Sequence, residues 1–254
     1  INTIASPASG ASGGKTLTLT KPTGFKAGQA VFIHQTQGTG AGAWQINSVV
    51  SLSGSVITLT KALNSGYTTS GKNRAQVVVM PSYTTVTVPS GTTLVAPEWD
   101  GKAGGVLALQ ATTSVSVTGS VTMAGLGFRG HARPGKNYTA AYQGEGHLGT
   151  EVVSTSPNGN GGGGGGRTGC ECCWAGSGGG GGHGSAGGTG SSGASCQVGG
   201  KGAGTYGNAS LTVFLFGGAG GAGGADEDGW GAGGGNSGGL IYGGPQSPGT
   251  EDSG

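Results

Sequence analysis

The chain has 254 residues, of which 64 are glycine, and charged residues make up only 9% of it. Average soluble proteins contain about 7% glycine and about 25% charged residues. Because a glycine inside a helix costs about 1 kcal/mol relative to alanine, this composition excludes a helical bundle and a doubly wound α/β enzyme. Glycine does not recur at every third position and there are 9 prolines, which excludes collagen. An all-β fold, an ordered glycine lattice and a disordered chain remain.

Both the glycine content and the net charge of the chain change near residue 150. Residues 151–254 hold 41 of the glycines and carry a net charge of −5, whereas residues 1–150 carry +7. The basic residues are scattered singly and form no nucleic-acid-binding motif, so we expect no nucleic-acid partner. The longest strongly apolar run, residues 211–216, is too short to span a membrane.

Residues 1–91 predict a small β-barrel or sandwich. Alternation along residues 15–20 places Leu17 and Leu19 on one face and threonines on the other. Further strands are predicted at 30–34, 46–52, 56–60, 76–80 and 84–88, with a turn at 53–55. The sequence TLTLTK at 16–21 returns as VITLTK at 56–61, which indicates a weak internal repeat.

Residues 92–130 predict a short β-solenoid, because the spacing between strands becomes very small. Strands are predicted at 105–109, 114–118 and 120–124, separated by small residues such as Gly119. Such spacing is typical of a solenoid, in which short corners connect the strands and each strand stacks on the one before it. We expect about three such rungs.

Two stretches, GFKAGQAVFIHQTQG and GGVLALQATTSVSVTGSVTMAGLGFRG, lead into the glycine runs. This order resembles glycine-rich modules of large bacterial surface proteins and phage tail proteins, in which a β-helix segment runs into a polyglycine region. The resemblance implies a surface-exposed structural or adhesive module rather than an enzyme.

Residues 161–244 predict packed polyglycine II helices. This helix has about three residues per turn and no internal hydrogen bonds, so neighbouring helices without side chains can bond to each other. A flexible linker is the alternative. Trp174, Tyr206, Trp230 and the apolar strand at 211–216 interrupt the glycine runs, and a linker has no need of them. We therefore expect an ordered lattice and essentially no α-helix.

Residues 131–160 form the expected connector between the solenoid and the lattice. Near its start, cations alternate with tyrosines, which makes a contact or ligand-binding loop one interpretation. The candidate residues are Arg129, His131, Arg133, Tyr138 and Tyr142. The alternative is a connector whose long side chains cover the end of the solenoid.

The four cysteines, Cys170, Cys172, Cys173 and Cys196, lie within a short glycine-rich stretch. An even number so arranged favours an oxidising, extracellular compartment. A bond between adjacent cysteines is strained, so we expect at most one comfortable bridge within the chain, to Cys196. The remaining thiols either bridge to another chain or stay free or in strained pairs.

Residues with catalytic or metal-binding chemistry are few. The acidic cluster Asp226, Glu227 and Asp228 is a weak Ca²⁺ candidate, but it lacks the spacing of a calcium loop, so we expect a solvated turn. The four histidines are far apart in sequence, and the solenoid offers only Glu98 and Asp100 as carboxylates. We therefore expect no catalytic site, no cofactor and no enzyme.

These patterns together predict an extracellular structural protein that self-associates head to tail in a surface filament, sheath or adhesive appendage. A receptor-binding adhesin module, which binds a cell-surface glycan or another receptor, is the alternative, and a carbohydrate-active enzyme is a third. Residues 245–254 are an acidic tail with two prolines. We expect this tail to lie extended on the basic half of a neighbouring copy.

Overall fold

A computed structural model describes residues 1–130, 141–149, 152–167, 176–182, 185–192, 197–205 and 218–224. All the regular elements in these ranges are β-strands, with no helix among them, so the predicted all-β class is confirmed. The chain divides into two compact units, Ile1–Leu126 and Gly127–Gly254.

Six antiparallel strands close a barrel in the first unit, in the order β1-β2-β5-β4-β3-β6. Their bounds are β1 Ala5–Ser9, β2 Thr16–Leu19, β3 Ala30–Gln37, β4 Trp44–Ser53, β5 Val56–Leu59 and β6 Arg74–Val79. The two copies of the predicted repeat lie on neighbouring strands, since β2 pairs with β5 and Leu17 lies opposite Ile57. Strand β1 closes the barrel by pairing with both β2 and β6.

The barrel core follows from the alternation of its strands. In β2 and β5, every second residue is buried, and these residues are Leu17, Leu19, Ile57 and Leu59. They form one cluster with apolar residues of the remaining strands and loops, Ala8, Phe25, Val31, Ile33, Val49, Leu63, Tyr67, Ala75 and Val77. The intervening threonines face solvent, so one face of each strand supplies the apolar area that folding buries.

Strands β3 and β6 are instead buried on both faces. A turn around Gly104 covers the outer face of β6, where the Gln76 amide donates to the Gly104 carbonyl and accepts from its N–H. Gly104 has a φ of 96°, and a Cβ there would meet the Glu98 carbonyl. This turn replaces the start of the strand predicted at 105–109, and that prediction is wrong.

Two turns of a parallel coil follow the barrel. The first turn holds β7 (Ser82–Val88) and β8 (Thr93–Leu94), and the second holds β9 (Gln110–Val117) and β10 (Ser120–Val121). Strand β9 pairs in parallel with β7, and β10 pairs in parallel with β8. The expectation that the strand at 84–88 completes the barrel is therefore wrong, because that strand begins the coil.

Seven extended segments make up the described lattice of the second unit. We call them L1 (141–146), L2 (152–156), L3 (160–166), L4 (176–182), L5 (185–192), L6 (198–204) and L7 (218–224). One short strand pair accompanies them, with β11 (Gly166–Arg167) antiparallel to β12 (Gln197–Val198).

The segments are joined by backbone hydrogen bonds that repeat every third residue. Gly162 and Gly165 of L3 donate to Ala219 and Ala222 of L7, at 2.8 and 2.7 Å. The same spacing joins L4 to L7, where residues 218, 221 and 224 donate to residues 182, 179 and 176. A three-residue repeat is the period of the polyglycine II helix, whereas a strand would alternate every two residues.

L3 is the central segment of the lattice. It exchanges backbone hydrogen bonds with L1, L2, L4, L6 and L7, and these five also bond to one another as a closed ring around it. L5 lies outside that ring and bonds to L4 and L6. Every backbone N–H from Gly161 to Gly165 donates to a carbonyl, so this buried backbone is satisfied without side chains.

Candidate functional site

Two of the five predicted contact-loop residues, Arg129 and Tyr142, lie within the described chain, and the structure gives them different roles. The Arg129 side chain binds Glu145. Tyr142 is 40% exposed while its backbone carbonyl accepts a hydrogen bond from Ala222 of L7. The other three, His131, Arg133 and Tyr138, lie outside the described residues.

The cysteine, calcium and tail predictions also lie outside the described residues. They concern Cys170, Cys172, Cys173, Cys196, the cluster Asp226, Glu227 and Asp228, and the tail 245–254. The aromatic residues Trp174, Tyr206 and Trp230 and the strand predicted at 211–216 fall there as well. These expectations stay predictions.

An ion pair with a buried carboxylate joins Arg129 to the end of L1. The Glu145 side chain is 3% exposed, and its Oε1 accepts a hydrogen bond from Arg129 NH2 at 2.7 Å. Its Oε2 accepts from the Arg129 backbone N–H at 2.7 Å and from Nε at 3.2 Å. The Glu145 N–H in turn donates to the Arg129 carbonyl at 3.1 Å. This two-pronged pair, in which both backbones take part, holds residue 129 against the end of L1.

The sequence reasoning missed Glu145, although one signal pointed to it. It is the only acidic residue between positions 101 and 150. A single carboxylate in a basic stretch is well placed to pair with one of the surrounding cations. The contact-loop hypothesis considered only the cations and tyrosines.

Asparagines next to L3 form a second polar cluster. The Asn160 side chain is fully buried, and its Oδ1 accepts a hydrogen bond from the His147 N–H at 2.8 Å. The Asn158 amide donates to the Gly144 and Gly149 carbonyls at 3.3 and 3.0 Å. Burial lowers the pKa of His147, while its hydrogen bond with Asn160 acts in the opposite direction. These contacts organise a turn and leave its polar side chains satisfied.

The barrel holds a buried histidine that contacts a hydroxyl group and an aromatic ring. His34 of β3 is 2% exposed, and its Nδ1 lies 3.1 Å from the Thr36 hydroxyl, which also accepts from the Gln76 amide. Phe32 lies 5.7 Å away, ring centre to ring centre. Burial lowers the pKa of His34 to about 3, so the ring is neutral at physiological pH and acts as a packing and hydrogen-bonding group.

The two carboxylates of the predicted solenoid, Glu98 and Asp100, have different surroundings. Asp100 Oδ1 accepts hydrogen bonds from the Lys102 and Ala103 N–H groups, which closes a turn. Partial burial would raise the pKa of Asp100, but these bonds and the nearby Lys21 lower it overall. Glu98 is exposed. Asp100 therefore has a structural role.

The outer surface of the lattice carries hydroxyl groups on L5. Thr189, Ser191 and Ser192 are exposed, and the Ser191 hydroxyl lies 2.8 Å from that of Ser177 on L4. A row of hydroxyls on a rigid backbone can hydrogen-bond a polar ligand.

The parallel coil presents an unusually exposed strand, β9. Every residue of β9 except Ala111 is exposed, which means that both faces of the strand meet solvent. Val115 and Val117 are 56% and 46% exposed, and Tyr83 on β7 is 44% exposed. Parallel sheets occur almost only with both faces covered by other elements. The parallel pair of β7 and β9 is exposed instead.

Within the described ranges, no three His, Cys, Asp or Glu side chains come together as a metal site. The same part of the chain has no helix of the length and apolarity needed to cross a bilayer. Comparisons with protein-family models, with curated proteins and with solved structures find no significant match to this chain.

Proposed function

We propose that this chain is a self-associating structural module of an extracellular filament, sheath or adhesive appendage. The observation that carries the proposal is the exposed two-stranded parallel sheet of β7 and β9. A two-stranded sheet is marginal on its own, and this one leaves apolar valines in solvent. Contact with further copies of the chain supplies the missing cover.

The lattice supports the same proposal. A segment enclosed by five others, with its N–H groups bonded, is a stiff body made almost without side chains. The described carboxylates Asp100 and Glu145 serve structure, in a turn and an ion pair. A stiff body of this kind suits a load-bearing or spacing element more than a catalyst.

A receptor-binding adhesin module is the second candidate, and the exposed hydroxyls of L5 favour it. In that case the lattice would present its edge to a polar ligand such as a surface glycan. The two candidates differ in whether the purified chain polymerises.

Analytical ultracentrifugation and negative-stain microscopy of the full chain, over a wide concentration range, test the proposal. We expect polymers whose mass grows with protein concentration. A chain that stays monomeric throughout contradicts self-association, and a monomer or trimer that binds a glycan array supports the adhesin candidate instead.

A further inference from the structure

The two turns of the parallel coil are near copies of each other. From position 85 of β7 and position 114 of β9 onward, each paired position carries the same kind of residue. Thr85 faces Ser114, Val86 faces Val115, Thr87 faces Ser116 and Val88 faces Val117. Such a like-on-like ladder is the pattern of a coil in which each turn provides the template for the next.

Most residues of both strands are exposed, but one valine position differs between the two turns. Val88 of the first turn is 5% exposed, whereas Val117, directly paired with it, is 46% exposed. The valine position is therefore covered in one turn and open in the next.

The outer edge of β9 has unused backbone groups. The Thr118 N–H bonds to the Val88 carbonyl at 2.8 Å, and successive residues of a strand point their backbone groups to opposite sides. Ser116 therefore faces β7, while the N–H and C=O of Val115 and Val117 face outward. Among the described residues, nothing hydrogen-bonds to these outward groups.

Natural sheets protect such edges with charges, prolines or bulges. The β7 and β9 sequences, SYTTVTV and QATTSVSV, contain no charged residue and no proline. In β9 the regular register continues from Ser114 to Val117 without a bulge. This edge is therefore suited to pairing.

By the same alternation, the outward groups of β7 belong to Thr85 and Thr87, which also make no backbone bond to the described residues. The described part of the chain thus has two unpaired strand edges. The edge of β9 presents the same residue pattern as the edge of β7 with which β9 pairs.

We infer that β9 of one copy pairs in parallel with β7 of a second copy, so that the coil continues from molecule to molecule. The register repeats the internal one, with Val115 opposite Val86 and Val117 opposite Val88 of the second copy. This inference rests on the proposed function and names the surface responsible. Because the two edges are different, the contact is heterologous and each added copy leaves a new open edge.

Proline substitution at Val117 tests the inference. Val117→Pro removes one outward N–H while keeping the N–H groups that pair with β7, and proline is tolerated on such an edge. The control Val117→Thr keeps both the N–H and a β-branched side chain. We expect Val117→Pro to raise the concentration needed for half-assembly by at least about tenfold, or about 1.4 kcal/mol, and Val117→Thr to assemble as the wild type does.

A second variant guards against a folding defect. Val115→Lys places a charge on an exposed position of the same edge, and we expect the same block to assembly. Far-ultraviolet circular dichroism and the unfolding midpoint identify which variants keep the native fold. Normal assembly of a folded Val117→Pro or Val115→Lys variant overturns the inference while leaving the proposed function intact.

The wild-type chain distinguishes the remaining cases. If it polymerises and the two edge variants do not, the inference is supported. If it stops at dimers, the head-to-tail register is wrong. If it is monomeric at every concentration, both the proposed function and this inference fail.

Discussion

At Gly163, in the middle of L3, a side chain would stand within 3.0 Å of the Thr155 carbonyl, and similar close approaches occur at Gly162, Gly164 and Gly165. None of these four glycines has a positive φ. The lattice therefore requires glycine because there is no room for a Cβ, rather than because the backbone needs a left-handed conformation.

Gly163→Ala should lower the free energy of unfolding by at least about 2 kcal/mol, since the Cβ forces neighbouring backbone apart. Gly204 of L6 is the matched control, because a Cβ there meets nothing within 4 Å. Gly204→Ala should leave the free energy of unfolding unchanged or raise it by about 0.4–1 kcal/mol, because alanine lowers the conformational entropy of the unfolded chain. Calorimetry of the full chain measures both free energies. Equal effects of the two substitutions would contradict the argument that the lattice needs glycine because there is no room for a Cβ.

His34 should make stability depend on pH. Its pKa is 6.5 when unfolded and about 3 when folded, so the unfolded chain binds more protons between these values. The free energy of unfolding should therefore fall as pH drops below 6.5, by up to about 1.4 kcal/mol per pH unit. The lowered pKa of His147 acts in the same direction.

His34→Gln is the control for this dependence, because glutamine still accepts a hydrogen bond and does not titrate. Denaturant unfolding at several pH values above about 4, where most carboxylates stay ionised, should show a shallower slope for the variant. Identical slopes for the two proteins would mean that His34 is not the group responsible.

At the scale of elements, alternation predicted the barrel strands well, and a side-chain contact between residues far apart in sequence explains the main error. Residues 105–109 form an apolar run of the kind found in strands, but the Ala108 N–H and carbonyl are bonded by the Asn2 side chain. The Asn2 contact spans most of the first unit and leaves no signal in the local sequence. Strand β1 was missed because its small residues and Pro7 give no alternation.

The glycine composition predicted the lattice, but it could not predict which segments lie next to each other. L3, L4 and L7 have nearly the same glycine-rich sequence, so their residues do not indicate which segments become neighbours. Only the few side chains, such as the pair Arg129 and Glu145, distinguish one end of a segment from another. Asn160 was missed for this reason, whereas Glu145 was missed because the contact-loop hypothesis considered only cations and tyrosines.

Amide hydrogen exchange should reveal the three-residue period of the lattice. In L5 the N–H groups of Gly187 and Gly190 donate to L6, whereas those of Gly188 and Thr189 bond to no described backbone carbonyl. We expect slow exchange at 187 and 190, fast exchange at 188 and 189, and slow exchange throughout 161–165. Two-dimensional NMR measures this, and protection at alternate residues would indicate a strand instead.

At the scale of the whole molecule, charge and strand pairing would make separable contributions to the proposed assembly. The net charges of +7 for residues 1–150 and −5 for residues 151–254 would attract neighbouring copies. The two open edges, β7 and β9, contain no charged residue. Charge should therefore act on the rate of encounter, while strand pairing and valine burial hold the polymer once it has formed.

Raising the ionic strength from about 0.01 to about 1 M shortens the screening length from about 30 to about 3 Å. We expect the initial rate of assembly, measured by light scattering, to fall steeply, while the final sedimentable mass stays nearly constant. Val117→Thr serves as the control, with the same dependence as the wild type. A polymer that dissolves at high salt would contradict strand pairing as the main contact between copies. It would favour an electrostatic contact instead, such as the acidic tail, residues 245–254, bound to the basic half of a neighbouring copy.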